Sequence, residues 1–301
     1  MERFKKVGLA LSLSVLFFGT AKADPLLDCF NSIKAQDYKK ALQYGLEAIK
    51  LFSDNPVAYF CTGAAYSDLG KYNLAIKYLK IAERHATQKQ LLEHIYNFEG
   101  TLYTRMGDYK NALLYDNRTL KLAIKLGDRK GEAFDLNNIG MIYRNIGKLD
   151  NALEFYEKAL KVSDEKDKTT IYNNIASIYA LKGDYNKAIE YLQKAIKINQ
   201  RYGNYFGLGE NYINIGYLYI KTNNLSKAKE YLNKGLEMEE KIGNKRWIGV
   251  AYSYLGELYK AEGDKTLAKE YLIKGAKLLM SIGDKPEAAW AISKLKELDK
   301  K

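Results

Sequence analysis

Residue types that do chemistry are scarce in this chain of 301 residues, which has 2 His and 2 Cys. His85 and His94 lie nine positions apart rather than one helical turn, and neither has a Cys or a paired carboxylate at ligand spacing. The sequence holds no nucleophile elbow, no Walker loop and no dinucleotide-type Gly pattern. These readings point away from an enzyme, with no cofactor, metal or catalytic residue implied. What remains is recognition chemistry. The amides of Asn97, Asn137 and Asn173 each offer a donor and an acceptor, and the guanidinium groups of Arg105 and Arg144, the latter followed by Asn145, are suited to bidentate contact with a carboxylate. Cys29 and Cys61 are 32 residues apart. They form either a bridge or two small buried apolar side chains.

The elements that carry these groups must be helical. With 47% hydrophobic and 28% charged residues the chain is neither a disordered tail nor a membrane bundle, and two cysteines exclude a disulfide-dense mini-protein. Only 3 Pro accompany 23 Gly, and Lys, Leu, Ala and Glu are abundant, which favours helix. The 48 basic against 36 acidic residues give +12. Arg3, Lys5 and Lys6 precede an apolar run from Val7 to Gly19, followed by Ala21, Lys22 and Ala23. Residues 1–23 therefore read as a signal peptide cut after Ala23, because the run is short of the roughly 18 residues of a spanning helix. The alternative is a retained anchor. Export makes the mature chain periplasmic or secreted, and not membrane-spanning after cleavage.

The mature chain repeats. Small residues recur at Cys29, Gly63, Gly100, Gly140, Ala176, Gly216 and Gly256, spaced 34, 37, 40, 36, 40 and 40. Three positions after the anchor stands Tyr66, Tyr103, Tyr143, Tyr179, Tyr219 or Tyr259, with Ser32 in the first unit. Twelve after it stands Ala41, Ala75, Ala112, Ala152, Ala188, Ala228 or Ala268. Small residues on two helices let the axes approach closely, with the Tyr expected on the buried face. Each unit divides at a turn such as Gly70-Lys71, Gly107-Asp108, Gly183-Asp184 or Gly263-Asp264, with Asn223-Asn224 as the variant. Gly127, Gly203, Gly243 and Gly283 close the longer second helices, each followed by an Asp or Asn suited to cap the next helix.

The segment Tyr172-Asn173-Asn174-Ile175-Ala176-Ser177-Ile178-Tyr179, with Gly183-Asp184-Tyr185 and Ala188 to Ala195, resembles the tetratricopeptide repeat. The resemblance covers nearly all of 25–299. The variant with Leu126-Gly127-Asp128-Arg129-Lys130-Gly131-Glu132-Ala133 looks like the extended repeats of bacterial peptide-sensing regulators and of some eukaryotic polarity and motor-adaptor proteins. It implies an all-α fold, a right-handed superhelical solenoid of helix-turn-helix units. The units run approximately 24–55, 56–92, 93–132, 133–168, 169–208, 209–248 and 249–285, with a capping helix 286–299. Together they make one solenoid from 24 to 301.

In that family the first helices line a concave groove that binds a peptide or a partner's helix. Helical spacing places Asn97, Asn137 and Asn173 on the groove side, with Arg105, Arg144 and Asn145 a turn or two later. An extended peptide presents donors and acceptors at regular spacing, which Asn in consecutive units would match. The alternative is that all six are ordinary solvated residues. Asn138, Asn174 and Asn214, two before the anchor, read as structural. The chaperone-binding carboxylate clamp is rejected, because its basic elements are missing six before the anchors. Basic second-helix residues such as Lys158, Lys194 and Lys274 have Glu154, Glu190 and Glu270 one turn away, which reads as a solvated outer face. The expectation is a non-enzymatic scaffold holding a protein or peptide in its groove, with no nucleic acid. The alternative is an envelope structural or assembly factor using its basic convex face or its ends, with an anionic envelope surface as partner.

Overall fold

The structure, a computed structural model, describes residues 24–299, so the expected signal peptide lies outside the described residues. Fifteen α-helices and one 3-10 turn make up the described chain, with no strand among those residues. The chain falls into two compact units, 1–148 and 149–301, each described by itself. The first unit holds α1 (Pro25–Lys34), α2 (Tyr38–Leu51), α3 (Pro56–Asp68), α4 (Tyr72–His85), α5 (Lys89–Arg105), α6 (Tyr109–Leu126) and α7 (Arg129–Asn145). The second holds α8 (Leu149–Val162), α9 (Lys168–Leu181), α10 (Tyr185–Tyr202), α11 (Tyr205–Lys221), α12 (Leu225–Ile242), α13 (Lys245–Glu262), α14 (Lys265–Ser281) and α15 (Lys285–Asp299). Successive helices pair as hairpins: α1 with α2, α3 with α4 and α5 with α6 in the first unit, α9 with α10, α11 with α12 and α13 with α14 in the second.

One turn chemistry recurs along the chain. Gly70, Gly107, Gly147, Gly183 and Gly263 have φ between 74° and 86°, and Asn223 takes the same region at 58°. The left-handed residue lets the next N–H turn back onto the carbonyl of the anchor-plus-three residue. Asp108 N donates to Tyr103 O at 2.9 Å, Asp184 N to Tyr179 O at 2.9 Å and Asn224 N to Tyr219 O at 2.8 Å. The residue that closes this loop often starts the next helix. Asp108, Asp184 and Asn224 accept from the backbone N–H three residues on. In the first repeat Gln36, at φ 61°, stands where the others place Gly, and Asp37 N still donates to Ser32 O at 2.9 Å.

The hairpins close on the small anchors. A Cβ added to Gly216 would lie 2.6 Å from Leu232 Cγ, and one added to Gly256 would lie 2.6 Å from Leu272 Cγ. Ala41, Ala75, Ala112, Ala152, Ala188, Ala228 and Ala268 are wholly buried. The apolar side chains form a cluster from Leu26 to Leu102 in the first unit, and clusters from Ala176 to Leu218 and Ile213 to Ala288 in the second. Cys29 and Cys61 join α1 to α3 through a disulfide, with Cα atoms 6.5 Å apart.

The Tyr three positions after the anchor packs against the core, as expected of its face, but is only partly buried. Tyr103, Tyr179 and Tyr259 are half-buried, each stacked on a Tyr of its second helix, Tyr115, Tyr191 or Tyr271, at 5.2–5.5 Å between centroids. A cation one turn further along the second helix covers the second ring: Arg118 at 4.9 Å, Lys194 at 4.2 Å and Lys274 at 5.2 Å. The phenol keeps its hydroxyl near water while the ring covers the hairpin edge.

Repeat three breaks the core pattern with two acids. Asp116 stands four after Ala112, where other units carry Leu79, Leu192, Leu232 and Leu272, and its carboxylate fills the space left by Gly100. Glu99 replaces the Ile or Leu found before later anchors, and Lys80 Nζ lies 3.4 Å from one of its oxygens. Both are buried, and burial raises each carboxyl to about 7; for Glu99 it outweighs the attraction of Lys80, and for Asp116 it acts alone.

Two outcomes are expected. Gly216→Ala should cost about 1–3 kcal/mol through overpacking, although Ala suits a helix better than Gly by about 1 kcal/mol. Gly63→Ala should cost less, since its nearest obstacle is Leu79 Cγ at 3.0 Å. Denaturant midpoints of the two variants in the opposite order would refute this account of the anchors. The acids give a pH dependence. Below the ordinary carboxyl values of 3.8 and 4.5 both native and unfolded states are protonated. As pH rises past these values the unfolded chain ionises first, so stability of the first unit falls until the buried groups ionise near 7 and is level above. The loss should be roughly 3–4 kcal/mol per carboxyl, and Glu99→Gln and Asp116→Asn should each flatten it. Melts at about pH 5 and pH 8 that coincide for the unmutated chain would contradict it.

Candidate functional site

The first-helix face of each unit carries the six positions expected from the sequence, which follow from the repeat register. In the first unit Asn97 on α5 is half-buried and its Nδ2 donates to Asp135 Oδ1 on α7 at 3.4 Å. Asn137 on α7 is 9% exposed, and its Nδ2 lies 3.6 Å from Met141 Sδ. It is part of the helix packing rather than an open contact. Arg105 is exposed near the end of α5, within electrostatic reach of Asp68 on α3. Arg144 is half-buried and Asn145 exposed at the end of α7, with Arg144 Nη2 3.5 Å from Asn145 Oδ1. Arg105, Arg144 and Asn145 thus form an accessible polar set in this unit.

In the second unit Asn173 on α9 is half-buried, and its Oδ1 accepts from Asn211 Nδ2 on α11 at 2.7 Å. Further along, the same face is filled by its own side chains. Tyr217 of α11 stacks on Tyr254 of α13 at 4.3 Å, and Trp290 of α15 meets both rings edge-on at 6.1 and 5.5 Å. Burial raises the Tyr254 hydroxyl well above its ordinary value. Lys221 covers Tyr217 at 4.9 Å. Lys260 bridges Glu257 at 3.5 Å and Glu297 at 2.8 Å, and Lys294 pairs with Glu297 at 2.8 Å. Those two lysines hold the Glu297 carboxyl down at about 2. Arg246 pairs with Asp284 at 2.8 Å and Glu287 at 3.4 Å. Helix α15 therefore closes this end with an aromatic wedge and ion pairs.

The six sequence-derived positions do not gather into one pocket. They are three accessible groups (Arg105, Arg144, Asn145) and three amides engaged in packing between or within first helices (Asn97, Asn137, Asn173). The residues missed by the sequence reading are those that hold the amides: Asp135 and Asn211, five before their anchors, both wholly buried. A signal was present, since the same register position is Ile95 in the third unit, Ile171 in the fifth and Ala251 in the seventh. Among the described residues no group of three or more His, Cys, Asp or Glu is placed to hold a metal ion, and no helix is long and apolar enough to cross a membrane.

Comparisons with known proteins agree with this architecture. The family model for the tetratricopeptide repeat matches residues 91–165 and 167–241. No curated protein matches the sequence. Among solved structures, the apo form of RapI superposes with a TM-score of 0.62 at 18% identity, covering 81% of this chain and 97% of that one. The C-terminal part of a tetratricopeptide-repeat protein from Cytophaga hutchinsonii gives 0.59 at 17% identity, covering 90% and 99%. A Rap protein complexed with Competence and Sporulation Factor gives 0.58 at 14% identity, covering 99% and 92%. At these identities the likeness is one of fold, a helical solenoid. Matched in sequence across its central repeats and in fold across most of its length, the chain belongs to the tetratricopeptide-repeat family.

Proposed function

We propose that this chain is an exported, non-enzymatic scaffold that holds a protein or peptide segment against its first-helix face. The fold and family support a protein-interaction role in general terms. The observation that carries the finer reading is the accessible trio of Arg105, Arg144 and Asn145 on neighbouring first helices, where guanidinium and amide groups stand ready for a carboxylate or a peptide backbone. A Rap protein of similar fold is complexed with a factor, which is in keeping with this use of the fold. The basic outer face offers less, because Lys158, Lys241 and Lys274 are each paired with a Glu one turn back at 2.6–2.7 Å. The disulfide supports export, since such bonds persist in oxidising compartments.

Replacing Arg105 and Arg144 together by Ala should abolish partner capture from an envelope extract while leaving the thermal melt nearly unchanged, because neither side chain belongs to the core. Retained capture would move the site elsewhere. The mature protein, alkylated without reductant, should gain no thiol adduct by mass. Cys61→Ser should lower stability by about 3–4 kcal/mol on the chain-entropy account of a loop this long. Two adducts on protein isolated from its native compartment would count against both the bridge and export.

A further inference from the structure

A file of amides joins the turn before α11 to the first-helix face of the second unit. Asn204 caps α11, its Oδ1 accepting from the Gly207 N–H at 3.4 Å, while its Nδ2 donates inward to Asn199 Oδ1 at 3.0 Å. Asn199 Nδ2 donates to Asn211 Oδ1 at 2.9 Å, and Asn211 Nδ2 donates to Asn173 Oδ1 at 2.7 Å. Asn199 and Asn211 are 1% and 0% exposed, so each has its oxygen and its amino group committed within the file. A Cβ on Gly207 would lie 2.6 Å from Asn199 Nδ2, so the absence of a side chain there leaves room for the file.

The two ends of an isolated amide are nearly the same shape, and a pair of them has no inherent direction. Here the direction is set from one end. A backbone N–H only donates, so Asn204 must turn its oxygen toward Gly207, and that choice orients Asn199, Asn211 and Asn173 in succession. The oxygen of Asn173 is thereby turned inward, with one hydrogen bond from Asn211. Its amino group has no acceptor among the described residues, and the residue is half-buried rather than sealed.

We propose that Asn204, Asn199 and Asn211 are positioning residues that fix Asn173 as a hydrogen-bond donor, so that this place on the first-helix face favours a carbonyl or carboxylate oxygen over an N–H or ammonium group. Asn97, at the same register in the first unit, has the opposite sense. Its neighbour Asp135 only accepts, so Asn97 donates inward and turns its own oxygen outward. The proposal refines the scaffold reading but needs no partner to be tested.

The test uses the full chain with 15N-labelled asparagine, the Asn173 side-chain signals being assigned with an Asn173→Ala variant. The probes are acetate for a carboxylate, N,N-dimethylacetamide for a carbonyl and methylammonium for a donor. The Asn173 amino protons should exchange with water roughly tenfold faster than those of Asn211, the difference expected for one buried hydrogen bond. They should shift with acetate or dimethylacetamide, the stronger response distinguishing the two oxygen types, and stay still with methylammonium. Asn204→Asp keeps the cap, as Asp128 does at the equivalent turn, but removes the donor. Asn199 must then point its amino group toward residue 204, the file reverses, and the Asn173 amino protons become protected and indifferent to both acceptors. Asn173 protons already protected and silent in the unmutated chain would overturn the proposal, as would a folded Asn204→Asp variant that changes neither exchange nor response. Should that variant not fold, the order of exchange in the unmutated chain decides alone. A donor-type Asn173 in a chain that captures no partner removes the scaffold reading and leaves the polarity standing; capture with a protected Asn173 does the reverse.

Discussion

Everything in this protein depends on how closely the two helices of a repeat can approach. Where the first helix offers Gly216 or Gly256, the facing Leu232 or Leu272 occupies the space a Cβ would need. That contact sets the hairpin spacing, which in turn fixes which faces of the first helices are left to meet the neighbouring repeat and the solvent. A hairpin this thin cannot cover its own apolar stripe, so each repeat is stable only as part of a stack. The same dependence explains the ends. The disulfide ties α1 to α3, where the first repeat has lost the Tyr of the motif, and α15 closes the other end with Trp290.

The repeat tolerates departures when the geometry of this contact is kept and its chemistry is changed. Asp116 occupies a Leu position against Gly100 and Glu99 an Ile or Leu position beside it, so the third repeat carries buried acid where the others carry hydrocarbon. Both carboxyls are pushed to about 7, which makes the stability of this repeat respond to pH. The half-buried tyrosines show the converse. Their rings stack in pairs at the hairpin edge, and a Lys or Arg of the second helix covers the second ring of each pair.

Residues of the first-helix stripe also serve the packing between first helices. Asn97 and Asn173 lie in the stripe that the repeat exposes, yet each is tied to the next first helix through Asp135 or Asn211. A side chain held this way loses freedom before any ligand arrives, which lowers the entropy cost of binding and restricts what the remaining end accepts. In the second unit the stack of Tyr217, Tyr254 and Trp290 fills part of the face that the register alone leaves open.

The sequence by itself determined the repeat, because the small anchor, the Tyr three later and the Ala twelve later are local spacings that the helical period converts directly into one face. It also determined the turns, since Gly and Asn in the left-handed region and Asp or Asn at the caps are backbone requirements visible residue by residue. Only the tertiary structure decided the partners. Whether Cys29 reaches Cys61 and which amide faces Asn173 depend on distances between side chains 32 or more positions apart, and a period says nothing about those. Likewise the register marked Tyr103 and Tyr179 as buried, while the structure leaves them half-open. Periodicity fixes the side of a helix a residue occupies, and the depth of its burial is set by the neighbour that packs there.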